Sequence, residues 1–208
     1  MEDAVKILNH RGLIIKIYQD EDYQSPEEWG DDSVFLVNYH HDFEVKKDEI
    51  ITEDDVRDWY QGKKIKQTKD YYIFMLSCLV HSGVWLSLDY NFACDSGGWD
   101  TSHVGVVLVS KKEAKTKTKA RKLAETLIDE WNDNLSGNVY GYVIENEDEE
   151  NLGSCWGFYG DIETSGIIKE AISETERIAD KRMKKHLEKA KAQIKNKVPL
   201  EKRTLIKT

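Results

Sequence analysis

Ten consecutive residues, Cys94 to His103 (CDSGGWDTSH), bring together a thiol, two carboxylates, an indole and an imidazole. Three kinds of chemistry suit such a set. Asp95, Asp100 and His103 offer oxygen and nitrogen donors to a divalent cation. A carboxylate beside an imidazole can share proton transfer, and Cys94 with His81 or His103 would pair a nucleophile with a base. The spacing matches neither HExxH nor paired CxxC, the specific metal patterns. The same residue types also build a tight loop. Gly97 and Gly98 permit positive φ, Asp95 and Ser96 can bond the turn's backbone, and Trp99 would anchor it by burial. The favoured expectation is a turn serving a binding surface, with Asp95, Trp99, Asp100 and His103 on it, and with no catalytic residue, metal ligand or cofactor assigned.

Two other segments bring small residues beside a Cys, His or Trp: HSG at 81–83 and SCWGFYG at 154–160. They would form one concave site with the loop if their strand ends meet, or stand as ordinary hairpin ends if they do not. A zinc site from Cys78, Cys94, Cys155 and His81 competes with core packing, the default for a free cysteine. P-loop, GxGxxG, GxSxG and zinc-finger patterns are absent.

The elements that must position these residues follow from periodicity. GLIIKIYQ (12–19) and SVFLVNY (33–39) read as strands around a polar loop. TEDDVRDWYQG reads as a short amphipathic helix capped by Thr52 and closed by Gly62. Residues 70–92 fit a hairpin of buried strands, although 71–80 alone would equally suit a buried helix. VGVVLVS (104–110) is continuously apolar and β-branched, the pattern of a central strand. Leu123, Leu127, Trp131 and Leu135 recur at steps of four before Gly137, which predicts a helix with a glycine C-cap. NVYGYVIENEDEENLGSCWGFYG predicts a β-hairpin with an acidic turn. Ser165 is placed to cap a last helix whose first half packs on the sheet and whose basic second half projects or frays. The expected class is α+β: a mostly antiparallel sheet flanked by two or three helices, with a long basic C-terminal helix, grouped as an acidic domain over 1–165 and a tail over 166–208.

The chain has 208 residues, enough for one sizeable core, and a net charge of −9 that conceals an asymmetry. Residues 181–208 hold eleven Lys and Arg against two Glu, a balance of +9, leaving 19 basic and 37 acidic residues, a balance of −18, over 1–180. An acidic body repels nucleic acid and attracts cationic protein surfaces, including those that hold nucleic acid. Glu147, Asp148, Glu149 and Glu150 concentrate this charge in the predicted turn, which is either a solvated hairpin tip or a phosphate-mimicking patch. The tail from Lys181 to Lys207 is a solvated helix face, a nucleic-acid contact, or a contact with an acidic second copy. Its oligomeric consequence stays open. Three widely spaced cysteines argue for reduced thiols, and neither a leader nor an apolar span is read, so the expected compartment is the cytoplasm and no membrane partner is expected.

Taken together, IIKIYQDEDYQSPEEWGDD, the HSG after an apolar run, CDSGGWDTSHVGVVLVSK, EWNDNLSGNVYGYVIENED and SCWGFYGD resemble, over residues 13–161, a family of uncharacterised accessory proteins of phages, plasmids and other mobile elements. Two departures stand out. GGWDTSH lengthens the loop relative to the family pattern, and the basic tail lies outside the matched region. The resemblance implies an anti-defence context, anti-CRISPR or antirestriction, and therefore a host-defence protein as partner, a CRISPR effector or its guide-RNA complex. The alternative is a metal- or thiol-dependent hydrolase such as a nuclease acting on RNA, built from His81, Cys94, Asp95, Asp100, His103 and Cys155.

Overall fold

The computed structural model describes residues 3–29, 32–41, 43–81, 83–90, 92, 94–95 and 98–204. Ser96 and Gly97 of the loop, and Lys207 of the tail, lie outside the described residues. The fold is α+β, and the strands divide into two antiparallel sheets of four. Contacts group the chain into two compact units, 1–23 with 138–208 and 24–137. The expected division at residue 165 is thereby corrected: the last helix belongs to the same unit as the first strands because its apolar residues lie in their core.

The first unit holds β1 (Lys6–His10), β2 (Leu13–Gln19), β7 (Val139–Glu145), β8 (Asn151–Tyr159) and α4 (Ile167–Lys195), with sheet order β1-β2-β7-β8. Strict alternation in LIIKIYQ buries Leu13, Ile15 and Ile17, and these meet Tyr142 and Ile144 of β7 and Ile167, Ala171 and Ile178 of α4. The second unit is inserted between β2 and β7, which pair directly. The Asp20 N–H donates to Val139 O at 2.8 Å, holding the two ends of the insertion together.

Ser165 does not cap α4. Asp161 O accepts from the amides of Thr164 and Ser165, and Gly166, at φ 88°, stands at the N-cap in the left-handed region that suits glycine. The Ser165 hydroxyl is buried with no hydrogen-bond partner among the described residues. The helix does not fray in its basic half; it runs to Lys195 and closes at Asn196, whose N–H donates to Ala192 O.

The second unit holds α1 (Pro26–Trp29), β3 (Val34–Asn38), α2 (Glu53–Tyr60), β4 (Tyr71–Val80), β5 (Val84–Leu88), β6 (Thr101–Ser110) and α3 (Lys117–Ser136), with order β3-β6-β4-β5. The open choice at 71–80 resolves as a strand, since its alternate residues face two different cores. Phe74, Leu76 and Cys78 meet Ala120, Ala124, Leu127, Ile128 and Trp131 of α3. On the opposite face Val106 and Leu108 of the central strand pack with Val56 of α2. Helix α2 starts with a capping box: Thr52 Oγ1 accepts from Asp55 N, and the Asp55 carboxylate accepts from Thr52 N. Helix α3 starts at the N-cap Thr116 and ends at left-handed Gly137, the C-cap its sequence predicts.

Candidate binding site

The β4–β5 hairpin and the loop that leads into β6 together build a groove in the second unit. Cys78, Leu86 and Leu88 point to the α3 side, so Leu79, Trp85 and Ser87 stand on the other face, with Leu79 opposite Trp85 in the ladder. These residues, with Phe92, Cys94 and Asp100, line an open groove of about 580 Å³. Its floor is apolar and its rim carries His81, Asp95 and Asp100.

Asp95 organises the loop. Its carboxylate accepts from Trp99 N at 3.0 Å, Asp100 N at 3.0 Å and the Thr101 hydroxyl at 2.7 Å. Those donors, the Thr101 hydroxyl foremost, hold its carboxyl below the ordinary aspartate range. Both carboxylate oxygens are therefore engaged within the loop. Gly98 sits at φ +65°, a conformation that favours glycine, and a Cβ there would also stand 2.3 Å from the Tyr90 hydroxyl and displace that side chain. That hydroxyl donates to Gly98 O at 3.3 Å.

The remaining expected site residues separate. Asp100 Oδ2 lies 3.1 Å from His81 Nδ1 at the groove's rim, with both side chains largely in solvent. His103 sits apart on β6. Its Nδ1 is 3.0 Å from the Ser77 hydroxyl and its ring lies 5.0 Å from that of Tyr90 and 5.9 Å from that of Tyr60. Trp99 does not anchor the loop by burial; it is 91% exposed, because the Asp95 hydrogen bonds fix the loop without it. Trp85, which lines the groove, is 46% exposed, and Tyr90, whose hydroxyl meets Gly98 of the loop, is 42% exposed.

A zinc site from Cys78, Cys94, Cys155 and His81 is not formed. Cys78 is fully buried in the α3 core, and Cys155 is on β8 of the other unit. Among the described residues no three His, Cys, Asp or Glu side chains gather as metal ligands.

Glu147, Asp148, Glu149 and Glu150 are exposed at the tip of the β7–β8 hairpin in the first unit. The buried Asn146 side chain shapes that tip, accepting from Asp148 N at 3.1 Å and Glu150 N at 2.8 Å. Trp85 and Tyr90 were not among the expected site residues. In VWLSL, alternation with inward Leu86 and Leu88 is the signal that turns Trp85 and Ser87 outward. No comparable periodic signal exists for Tyr90, which sits at φ 56° in the loop after β5.

The chain is thus an α+β protein with a groove lined in part by Trp85 and Phe92 in an inserted unit and an acidic hairpin in the unit that carries the insertion. No family model, curated protein or solved structure matches it. No helix among the described residues is long and apolar enough to cross a membrane.

Proposed function

We propose that the protein acts by binding: an anti-defence protein of mobile elements that inhibits a host nucleic-acid-targeting system, a CRISPR effector or its guide-RNA complex. The observation that supports a binding role is Trp99, an indole 91% exposed on a loop braced by Asp95. Tryptophan dominates interface hot spots, and a side chain held on a fixed backbone loses little freedom on association. The exposed acids Glu147 to Glu150 add a field that draws a cationic, nucleic-acid-handling surface.

The experiment is guide-directed cleavage by a panel of purified effector complexes, with and without the protein. Suppression of at least one effector, weakened by salt and reduced at least about tenfold in potency by Trp99→Ala, is the expected result. If no effector is bound or suppressed at micromolar protein, the anti-CRISPR reading is wrong. If Trp99→Ala inhibits as well as the parent, the Trp99 loop is not the interface.

One observation favours thiol chemistry as a second reading: Cys94 lines the same groove as the bonded His81 and Asp100 pair. RNA hydrolysis or acyl-thiol turnover that is lost in Cys94→Ala would establish it. Inhibition retained by Cys94→Ala would remove it.

A further inference from the structure

Two partly exposed apolar surfaces of the first unit carry opposite charge at their margins. Helix α4 covers the sheet face of Leu13, Ile15, Ile17, Tyr142 and Ile144. Alternation turns Ile7, Ile14, Tyr18 and Val143 to the opposite face, where Ile7 is 57% exposed. Trp156, 47% exposed, is built into this face. A bulge in β8 places its indole over Gly141, where a Cβ would come within 2.1 Å of the ring, and stacks it on Tyr18 at 6.5 Å. The bulge is pinned by the buried Asp20 carboxylate, which accepts from Gly157 N at 3.2 Å. Across the middle of the face Lys16 and Glu145 pair at 2.6 Å, and beyond its end project Glu147, Asp148, Glu149 and Glu150. The surface is apolar with an acidic margin.

The second half of α4 is its counterpart. Met183, Leu187 and Ile194 are 52%, 49% and 59% exposed and, with Ala190, form a 4-3-4 stripe. Residues 181–195 hold seven Lys and Arg against one Glu. At 100° per residue the stripe lies roughly 140° around the helix from Ile178, so it faces away from its own sheet. Fifteen helical residues span about 22 Å, close to the roughly 23 Å of a seven-residue strand such as β2. Contiguous exposed apolar surfaces rimmed by charge mark interaction sites.

We propose that these surfaces meet between copies of this chain: the Met183–Leu187–Ile194 stripe of one copy lies on the Ile7–Tyr18–Trp156 face of the next, a head-to-tail contact because the two surfaces point in opposite directions on one chain. The basic residues beside the stripe, Lys184 and Lys191 among them, then approach the partner copy's acidic turn. This interface uses neither the groove nor the anti-defence reading.

Sedimentation of the full chain over micromolar to hundred-micromolar concentrations tests it. The expected first species has twice the 24.1 kDa chain mass, with larger multiples as concentration rises. Leu187→Glu and, separately, Ile7→Glu each raise the dissociation constant about thirtyfold or more. Both side chains are exposed, so circular dichroism should show unchanged folding. Lys184→Glu with Lys191→Glu also weakens the dimer, and adding Glu147→Lys with Glu149→Lys restores it. A chain that stays monomeric throughout overturns the proposal. So does a dimer broken by Leu187→Glu but indifferent to Ile7→Glu, which would be a helix-to-helix contact. A monomer that binds single-stranded RNA through Lys184 and Lys191 would make the helix a nucleic-acid arm instead.

Discussion

The Asn132 side chain of α3 takes both backbone groups of Leu86 in β5: Nδ2 donates to Leu86 O at 3.0 Å, and Oδ1 accepts from Leu86 N–H at 2.7 Å. It acts as a one-residue neighbour for the outer side of an edge strand, and that strand carries Trp85 and Ser87 into the groove. Replacing Asn132 by Leu leaves two backbone groups without partners, at a cost of about 2–3 kcal/mol. Urea denaturation should show that loss, and the Leu86 amide should lose hydrogen-exchange protection before its β4 neighbours. Unchanged stability would mean water replaces the carboxamide at no cost.

Gly105 sits in the central strand where a Cβ would come within 1.9 Å of Val37 O and 2.8 Å of Val37 C. These are backbone atoms of the paired strand and cannot turn aside. Gly105→Ala should therefore destabilise the second unit by roughly 3 kcal/mol or more, measured by the urea midpoint. A loss below about 1 kcal/mol would show that β3 can shift outward without disturbing the core.

The loop's dependence on Asp95 has a pH signature. Its folded carboxyl titrates below the ordinary 3.8, so the stabilisation is fully present above that value and disappears as pH falls through the lower folded value. At pH 7, Asp95→Ala should speed exchange of the Trp99 and Asp100 amides about tenfold. Acidifying the parent protein through that lowered folded value should reproduce that loosening, with the Asp95→Ala loop showing no further change. Equal exchange in both proteins at pH 7 would show that Tyr90 and Gly98 suffice to hold the turn.

Tyr60 provides an alkaline probe. Burial of its hydroxyl, which donates to Gly105 O, pushes its pKa up to about 12, although its ring edge reaches solvent. The unfolded chain loses this proton near pH 10, so native stability is intact below pH 10 and declines as pH rises from 10 to 12. Thermal melts of Tyr60→Phe should fall less steeply across that window than those of the parent. Parallel slopes would assign the decline to Tyr39 and Tyr142, whose hydroxyls burial likewise raises to about 12.

Local patterns determined much of this protein. Alternation in LIIKIYQ, the four-residue steps of Leu123, Leu127, Trp131 and Leu135, the Thr52 cap and the turn between 145 and 151 all specify elements from neighbours only a few residues away. Cys94 to His103 was legible as a braced loop because aspartate and glycine act on nearby backbone. Tertiary structure decided what local pattern does not encode. Whether β2 pairs with β3 or with β7 depends on which apolar faces match after an excursion of the whole second unit, and that choice split the strands into two sheets. The fate of Trp99 followed the same logic: an indole is buried only if some distant surface comes to cover it, and Asp95 made such cover unnecessary for the turn. Cys78 and Cys155 could be weighed as partners along the chain, yet Cys78 is buried in the α3 core while Cys155 stands exposed on β8, because strand pairing, not spacing, sets what each side chain faces.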